Sequence, residues 1–282
     1  MPLLLVLLLS VVPQGVILIK GATPSASDAS TPLPEQGRVS AGRYRNAYFG
    51  LSYPIPAGWS EQPAGPPPSD GGGYVLGLFA MEKANVLITA QDLFFDVHRT
   101  GSARELVASM RAGLLPRYEV EGGPQEVTIA GRTFHRLAYA SRASGMRWRI
   151  LATDARCHAL AFTFTGTDSA TLDAAERAMS GLSLSSAAPA CVHDYANGNV
   201  VAQAQPQFTG HRYNTIPVRV IVGKDGAVKH VHVLSAFPEQ SQAILAALRT
   251  WRFKPYREGG RAAAVETGLV FGMPPASAQL MR

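Results

Sequence analysis

Two regions of regular apolar patterning divide the chain, with small and Pro-rich residues before and between them. In the first, Tyr44 to Tyr53 is aromatic and partly alternating, which predicts a strand ended by Pro54, Pro56 and Gly58 ahead of Trp59. Residues 61–73, EQPAGPPPSDGGG, predict a loop. Apolar runs at Tyr74 to Met81 and Asn85 to Leu93 predict neighbouring strands. Ser102 and Glu105 stand at the spacing of a capping box, so a helix starts there; Leu106, Met110 and Leu114 recur on one face, and Pro116 marks its end. Strands are predicted at Glu126 to Ile129 and Thr133 to Ala140, joined by an Ala130-Gly131-Arg132 turn, and at Met146 to Thr153. A last strand, His158 to Thr165, places Leu160, Phe162 and Phe164 on one face. Asp168 is placed to cap a second helix with Leu172, Ala175, Met179 and Leu182 on its apolar face. This is the pattern of an antiparallel sheet covered by helices.

In the second region Pro217 to Val222 alternates, with Val218, Val220 and Val222 on one face and Arg219 and Ile221 on the other. Gly223-Lys224-Asp225-Gly226 supplies hairpin-turn chemistry, and Ala227 to Leu234 returns as a partner strand in which Val231 and Val233 alternate with His230 and His232. Pro238 suits the first turn of a helix whose Ile244, Leu248 and Trp251 share a face. The segment Trp251-Arg252-Phe253-Lys254-Pro255 breaks that helix, Gly259-Gly260 turns the chain, and Val265 to Gly272 forms a final strand. The order is β-β-α-β.

The opening YFGLSYPIPAGW, the VTIAGRTFHRLAYAS hairpin and the last strand leading into a closing helix resemble the PsbP-like α/β/α sandwich family over residues 43–186. That resemblance implies a binding or assembly module and carries over no catalytic residue; Trp59 reads as a core or lid residue. Over residues 205–273, VRVIVGKDGAVKHVHVLSAF, then AILAALRTWRFKP, then ETGLVFGM resemble the TonB carboxy-terminal domain family. The resemblance gives Asp225 and Gly226 to the turn and makes Trp251, Phe253 and Pro255 structural. It implies a periplasmic domain that captures a segment of an outer-membrane TonB-dependent receptor by strand addition, driven by an inner-membrane motor complex. The candidate edge is Glu266, Thr267, Gly268, Leu269, Val270, Phe271 and Gly272. The family's Pro-Tyr-Pro-like entry is reduced here to Gln205-Pro206-Gln207-Phe208, and a folded domain replaces its long spacer.

The expected fold class is therefore α+β in two domains. Residues 1–20 are an export signal or a single anchor, 21–42 a flexible spacer, 43–186 the PsbP-like domain, 187–204 a linker, 205–273 the TonB-like domain and 274–282 a tail. Export makes the protein one of the periplasm or cell envelope. Membrane contact is confined to the amino-terminal segment, because the rest has no apolar run of spanning length. In an oxidising compartment Cys157 and Cys191 either close one bridge or remain two unrelated thiols.

The 26 Lys and Arg exceed the 20 Asp and Glu by six, well short of the dense basic stripe of a nucleic-acid binder. The basic residues of the second region, among them Lys224, Lys229, Arg249, Arg252, Lys254 and Arg257, suit acidic partners or simple solvation. Motifs for a nucleophile elbow, a phosphate loop, a dinucleotide fold, a zincin or CxxC are absent, so no cofactor is expected. His230 and His232 share a strand face and form a weak metal candidate against the plainer reading of a solvated face; His193 and Asp194 are a weaker version. The leading expectation is a non-enzymatic envelope protein that binds a protein partner by strand addition and couples energy for transport. The alternative is an exported ligand-binding, metal-binding or assembly protein reusing a TonB-like fold. An exposed edge also permits pairing into a homodimer.

Overall fold

A computed structural model of the protein describes residues 25–28, 31–63, 65–123, 125–185, 189–208 and 214–272. The signal or anchor at 1–20 and the tail at 274–282 lie outside the described residues. The fold is mixed α+β, rich in sheet with few helices. In chain order the strands begin β1 (Ala26–Ser27), β2 (Gly37–Ser40), β3 (Arg43–Asn46), β4 (Leu51–Pro54), β5 (Ser60–Glu61), β6 (Gly73–Met81) and β7 (Ala84–Asp92). After helix α1 (Ala103–Ala112) come β8 (Tyr118–Val120), β9 (Gln125–Ile129), β10 (Arg132–Ser141), β11 (Arg147–Ala155) and β12 (His158–Gly166), then α2 (Ser169–Ala178). Strands β13 (Ala190–Cys191), β14 (Val200–Ala202), β15 (Ile216–Val222) and β16 (Val228–Val233) precede α3 (Pro238–Leu248). The chain closes with β17 (Arg252–Phe253), β18 (Arg257–Glu258), β19 (Arg261–Ala262) and β20 (Val265–Phe271).

The larger sheet runs β5-β6-β7-β12-β11-β10-β8, with β9 also paired to β10. Its core is set by alternation along β12: Leu160, Phe162 and Phe164 pack with Leu172 and Met179 on the α2 side, where Tyr44 and Tyr53 of the β2-β3-β4 meander complete the layer. Ala159 and Ala161 face the other way, against Ala103 and Val107 of α1. The aromatic segment expected as one strand is two, β3 and β4, separated by a turn. Ser102 caps α1, accepting from the Glu105 N–H, while Glu105 accepts from Gly101 N–H at 2.7 Å. The expected apolar face of α1 is shifted by one position: Val107 is buried, whereas Met110 is 39% exposed.

The smaller sheet runs β1-β16-β15-β20-β13. Val218, Val220 and Val222 meet Ile244, Leu248, Trp251 and Phe253 in its core, which α3 covers. The Trp251 indole N–H donates to Ala204 O at 2.8 Å, and the turn at Gly226 has positive φ with the Phe253 carbonyl where a Cβ would lie. Asp225 closes that turn, accepting from Ala227 N–H and pairing with Lys229.

Two expected boundaries are corrected. The spacer at 21–42 contributes β1 to the smaller sheet and β2 to the meander, and the linker at 187–204 contributes β13 and β14. Tyr195, also within that linker, is buried in the smaller core. Leu234, at the end of β16, packs into the larger core. Edge strands and interface contacts need only two or three residues each, too few to register as hydrophobic periodicity. The structure also resolves the cysteine alternatives: Cys157 and Cys191 form a disulfide with a Cα–Cα distance of 5.6 Å, tying the β11–β12 turn to β13. Because the bridge closes a sequence separation of 34, the Cys157→Ser/Cys191→Ser double variant is expected to lose about 3–4 kcal/mol of unfolding free energy, read by urea denaturation. A loss below about 1 kcal/mol would mean that β13 is held by its sheet contacts alone.

Candidate functional site: a buried charged seam beside a half-open strand edge

With Val218, Val220 and Val222 committed to the α3 side, alternation turns Arg219 and Ile221 to the opposite face of the smaller sheet. Register places Arg219 between His232 and Gly268, and Ile221 between His230 and Glu266. This face is not solvated. It packs on Tyr48 of the β3–β4 turn, Tyr74 of β6, Phe94 and Phe95 just after β7, and the Arg156–His158 turn.

Arg219, 3% exposed, joins the two sheets. Its Nη1 lies 2.5 Å from Asp92 Oδ2, at the end of β7, and its Nη2 lies 3.0 Å from Glu266 Oε1, at the start of β20. Arg156 adds Nε at 3.3 Å from the other Glu266 oxygen, and the Tyr48 hydroxyl donates to Glu266 at 3.0 Å. The guanidinium of Arg156 also covers the Tyr48 ring at 3.9 Å, and that of Arg219 sits 4.8 Å from the Phe94 ring centre. Burial pushes the Glu266 carboxyl up, but Arg219, Arg156 and Tyr48 outweigh it and hold its pKa below the usual value. Asp92 has only Arg219 and the Phe94 N–H to set against complete burial, so its pKa is raised.

His158 lies under this pair, its ring in edge contact with Tyr48, Phe49 and Tyr74. Nδ1 meets the Arg156 carbonyl at 2.7 Å, which fixes that nitrogen as the proton carrier, and Nε2 sits 3.8 Å from Asp92. Burial, with Arg219 and Arg156 close by, drives its pKa well below the ordinary 6.5. His232 pairs with Glu35 at 3.3 Å, and Glu35 is held below its usual range because that histidine outweighs burial. The cavity adjoining Arg219, His232 and Glu266 measures about 20 Å³, room for one water and for no substrate.

Next to the seam runs the expected edge. Ala190 and Cys191 pair in parallel with Val265 and Glu266, and Val192 N–H donates to Glu266 O. Leu234 N–H takes the Pro217 carbonyl, which turns Pro217 toward β16 and therefore Val270, its partner on β20, outward. By alternation the backbone groups of Gly268 and Val270 both point away from β15, and among the described residues they have no backbone partner. Thr267 and Phe271 point back to β15; the Thr267 hydroxyl donates to His193 O. The open edge is thus Gly268 to Phe271 rather than Glu266 to Gly272. Glu266, 2% exposed, belongs to the seam, and Gly272 turns away at positive φ with Asn214 O against it. Val270 is 62% exposed, whereas Gly268 faces Phe94 and Phe95 so closely that a Cβ would lie 2.8 Å from the Phe94 Cβ.

The solvated-face reading of His230 and His232 is corrected: His232 is buried in the seam, and His230 lies 3.7 Å from Asp28. Among the described residues no group of three His, Cys, Asp or Glu is placed to hold a metal. His193 stacks edge-on against Phe94, and Trp59 packs against the larger core. Sequence reading missed Asp92 and the buried role of Arg219. The available signal was charge of both signs inside strands otherwise apolar, which predicts mutual burial.

No family model matches the chain, and no curated protein matches it. Among solved structures, the cyanobacterial PsbP (CyanoP) from Synechocystis sp. PCC 6803 is similar, at 13% identity and a TM-score of 0.38, over 53% of this chain and 96% of that one. Among the described residues no helix is long and apolar enough to cross a membrane.

Replacing Arg219 by Leu leaves two buried carboxylates without their shared cation, and the expected loss is about 3–5 kcal/mol in chemical denaturation. Replacing it by Lys, which cannot serve both oxygens with one planar fork, is expected to recover only part of that loss. The pH dependence has a definite sign. His158 stays neutral in the fold while the unfolded chain takes up a proton below about pH 6.5, so stability falls as pH drops below that value, by up to about 1.4 kcal/mol per unit. Denaturation midpoints at pH 7.0, 6.0 and 5.5 should show this slope in the wild type and a shallower one in His158→Asn; equal slopes would place the titration elsewhere.

Proposed function

We propose that the chain is a non-enzymatic cell-envelope protein that takes up an extended segment of a protein partner along the open half of β20. The observation that supports this most directly is the pair of outward-facing backbone units at Gly268 and Val270, beside an exposed Val270 side chain. Unpaired N–H and C=O groups give such an edge its affinity, and neighbouring side chains give it selectivity. The β-β-α-β succession with its DG turn and WRFKP segment favours partners of the TonB type: a periplasm-facing segment of an outer-membrane transporter, with an inner-membrane motor as the energy source. A second copy of this chain competes for the same edge.

Val270→Pro is the discriminating variant. Proline there removes the outward N–H without removing a bond to β15, whereas Leu269→Pro would break the sheet itself. Fluorescence anisotropy with labelled periplasm-facing peptides of TonB-dependent transporters should show saturable binding to the wild type. Val270→Pro should weaken it at least ~10-fold, equivalent to about 1.4 kcal/mol, with an unchanged melting temperature. Equal binding by both proteins would exclude strand addition here, and concentration-dependent dimerisation lost in the variant would assign the edge to self-pairing.

A further inference from the structure

A cavity of about 640 Å³ lies between α1 and the β9–β10 hairpin, far larger than the space at the seam and in the range of small-molecule sites, roughly 300–1,000 Å³. Val107, Ala108 and Ala112 give it an apolar wall. Arg104 and Arg111 line the same wall, two turns apart on one helix face with Ala108 between them. Opposite stand Gln125, Glu126, His135 and Arg136.

The charges do not balance within the protein. Arg136 is committed to Glu176 at 2.9 Å and to Gln125 at 3.3 Å, and His135 lies 3.6 Å from Glu126. Arg104 and Arg111 have no ion pair or side-chain hydrogen bond among the described residues, and Arg111 Nη1 is buried without an acceptor. A buried guanidinium N–H without an acceptor is unfavourable, and an incoming acceptor relieves it. Carboxylate is the anion that matches the planar fork of arginine, and the alanine and valine wall favours an apolar body behind it.

We infer that this cavity is a binding site for an aliphatic carboxylate, with Arg111 and Arg104 receiving the carboxylate and the α1 wall receiving the chain. The site is independent of the strand edge on the smaller sheet.

Calorimetric titration of the full chain with octanoate, with octanol and with inorganic phosphate tests it. Octanoate is expected to bind at one saturable site, with Arg111→Gln weakening it about 10- to 100-fold and Arg104→Gln less, neither variant melting below the wild type. Octanol and phosphate should each bind at least ~10-fold more weakly than octanoate, since each lacks one half of the ligand. Absence of saturable octanoate binding, equal affinity in the Arg104→Gln/Arg111→Gln double variant, or octanol or phosphate matching octanoate would overturn the assignment.

Discussion

The ion pairs that Arg219 makes with Asp92 and Glu266 fix how the two sheets meet. Taking three charges out of water costs several kcal/mol per ion, and only close, multiple pairing offsets it. Here the offset comes from both sheets at once: Asp92 ends a strand of the larger sheet, Glu266 begins a strand of the smaller, and Arg156 approaches from the β11–β12 turn. A sliding or rotation of one sheet on the other by even one residue would separate Arg219 from Asp92, which among the described residues has no other cation paired with it. Apolar packing tolerates small shifts, whereas this pairing does not. It therefore specifies one arrangement of the two sheets, beyond whatever it adds to their net affinity.

The turn between β11 and β12 shows how the backbone is adapted to that requirement. Arg156 and Cys157 both adopt positive φ, a conformation that costs side-chain-bearing residues about 1–2 kcal/mol each, where the comparable Ala130-Gly131 turn uses a glycine. Neither position can be glycine without loss, because Arg156 supplies the second cation on Glu266 and Cys157 supplies the bridge to Cys191. The bridge in turn holds β13 against the first residues of β20, placing a covalent tie and an ionic one on the same carboxylate-bearing strand.

Element types were legible where period and chemistry agreed. The capping residues Ser102 and Asp168, the alternating faces of β12 and β15, and Pro238 at the start of α3 all act through neighbours within a few residues, so the sequence displays them directly. The interface was far less legible, because its members are scattered: Glu35, Tyr48, Asp92, Arg156, Arg219 and Glu266 sit on six different segments, and although charges within apolar strands hint at burial, nothing local says which of them meet. His232 shows the difficulty well. On its own strand it alternates with valines as a solvated residue would, and only the larger sheet's approach buries it. The same scatter hid the cavity beside Arg111, since a helix arginine reads as solvated until the acceptors around it are counted.

Edge protection gives the open half of β20 its meaning. The outer side of β16 is closed by Ala26–Ser27, drawn from the far end of the chain, and the outer side of β20 by Ala190–Cys191, held by the disulfide. Both caps are only two residues long. Gly268 lies at the limit of that contact, lacking a side chain because Phe94 and Phe95 occupy the space; Val270, two residues on, has passed beyond it. The uncapped backbone thus begins where the seam ends. A segment added there would pair beside a strand whose position is fixed by Glu266 at its base, so the edge is presented rigidly and loses little conformational freedom on pairing. A short edge held in this way can select an extended partner without offering the long flat surface on which unrelated chains aggregate.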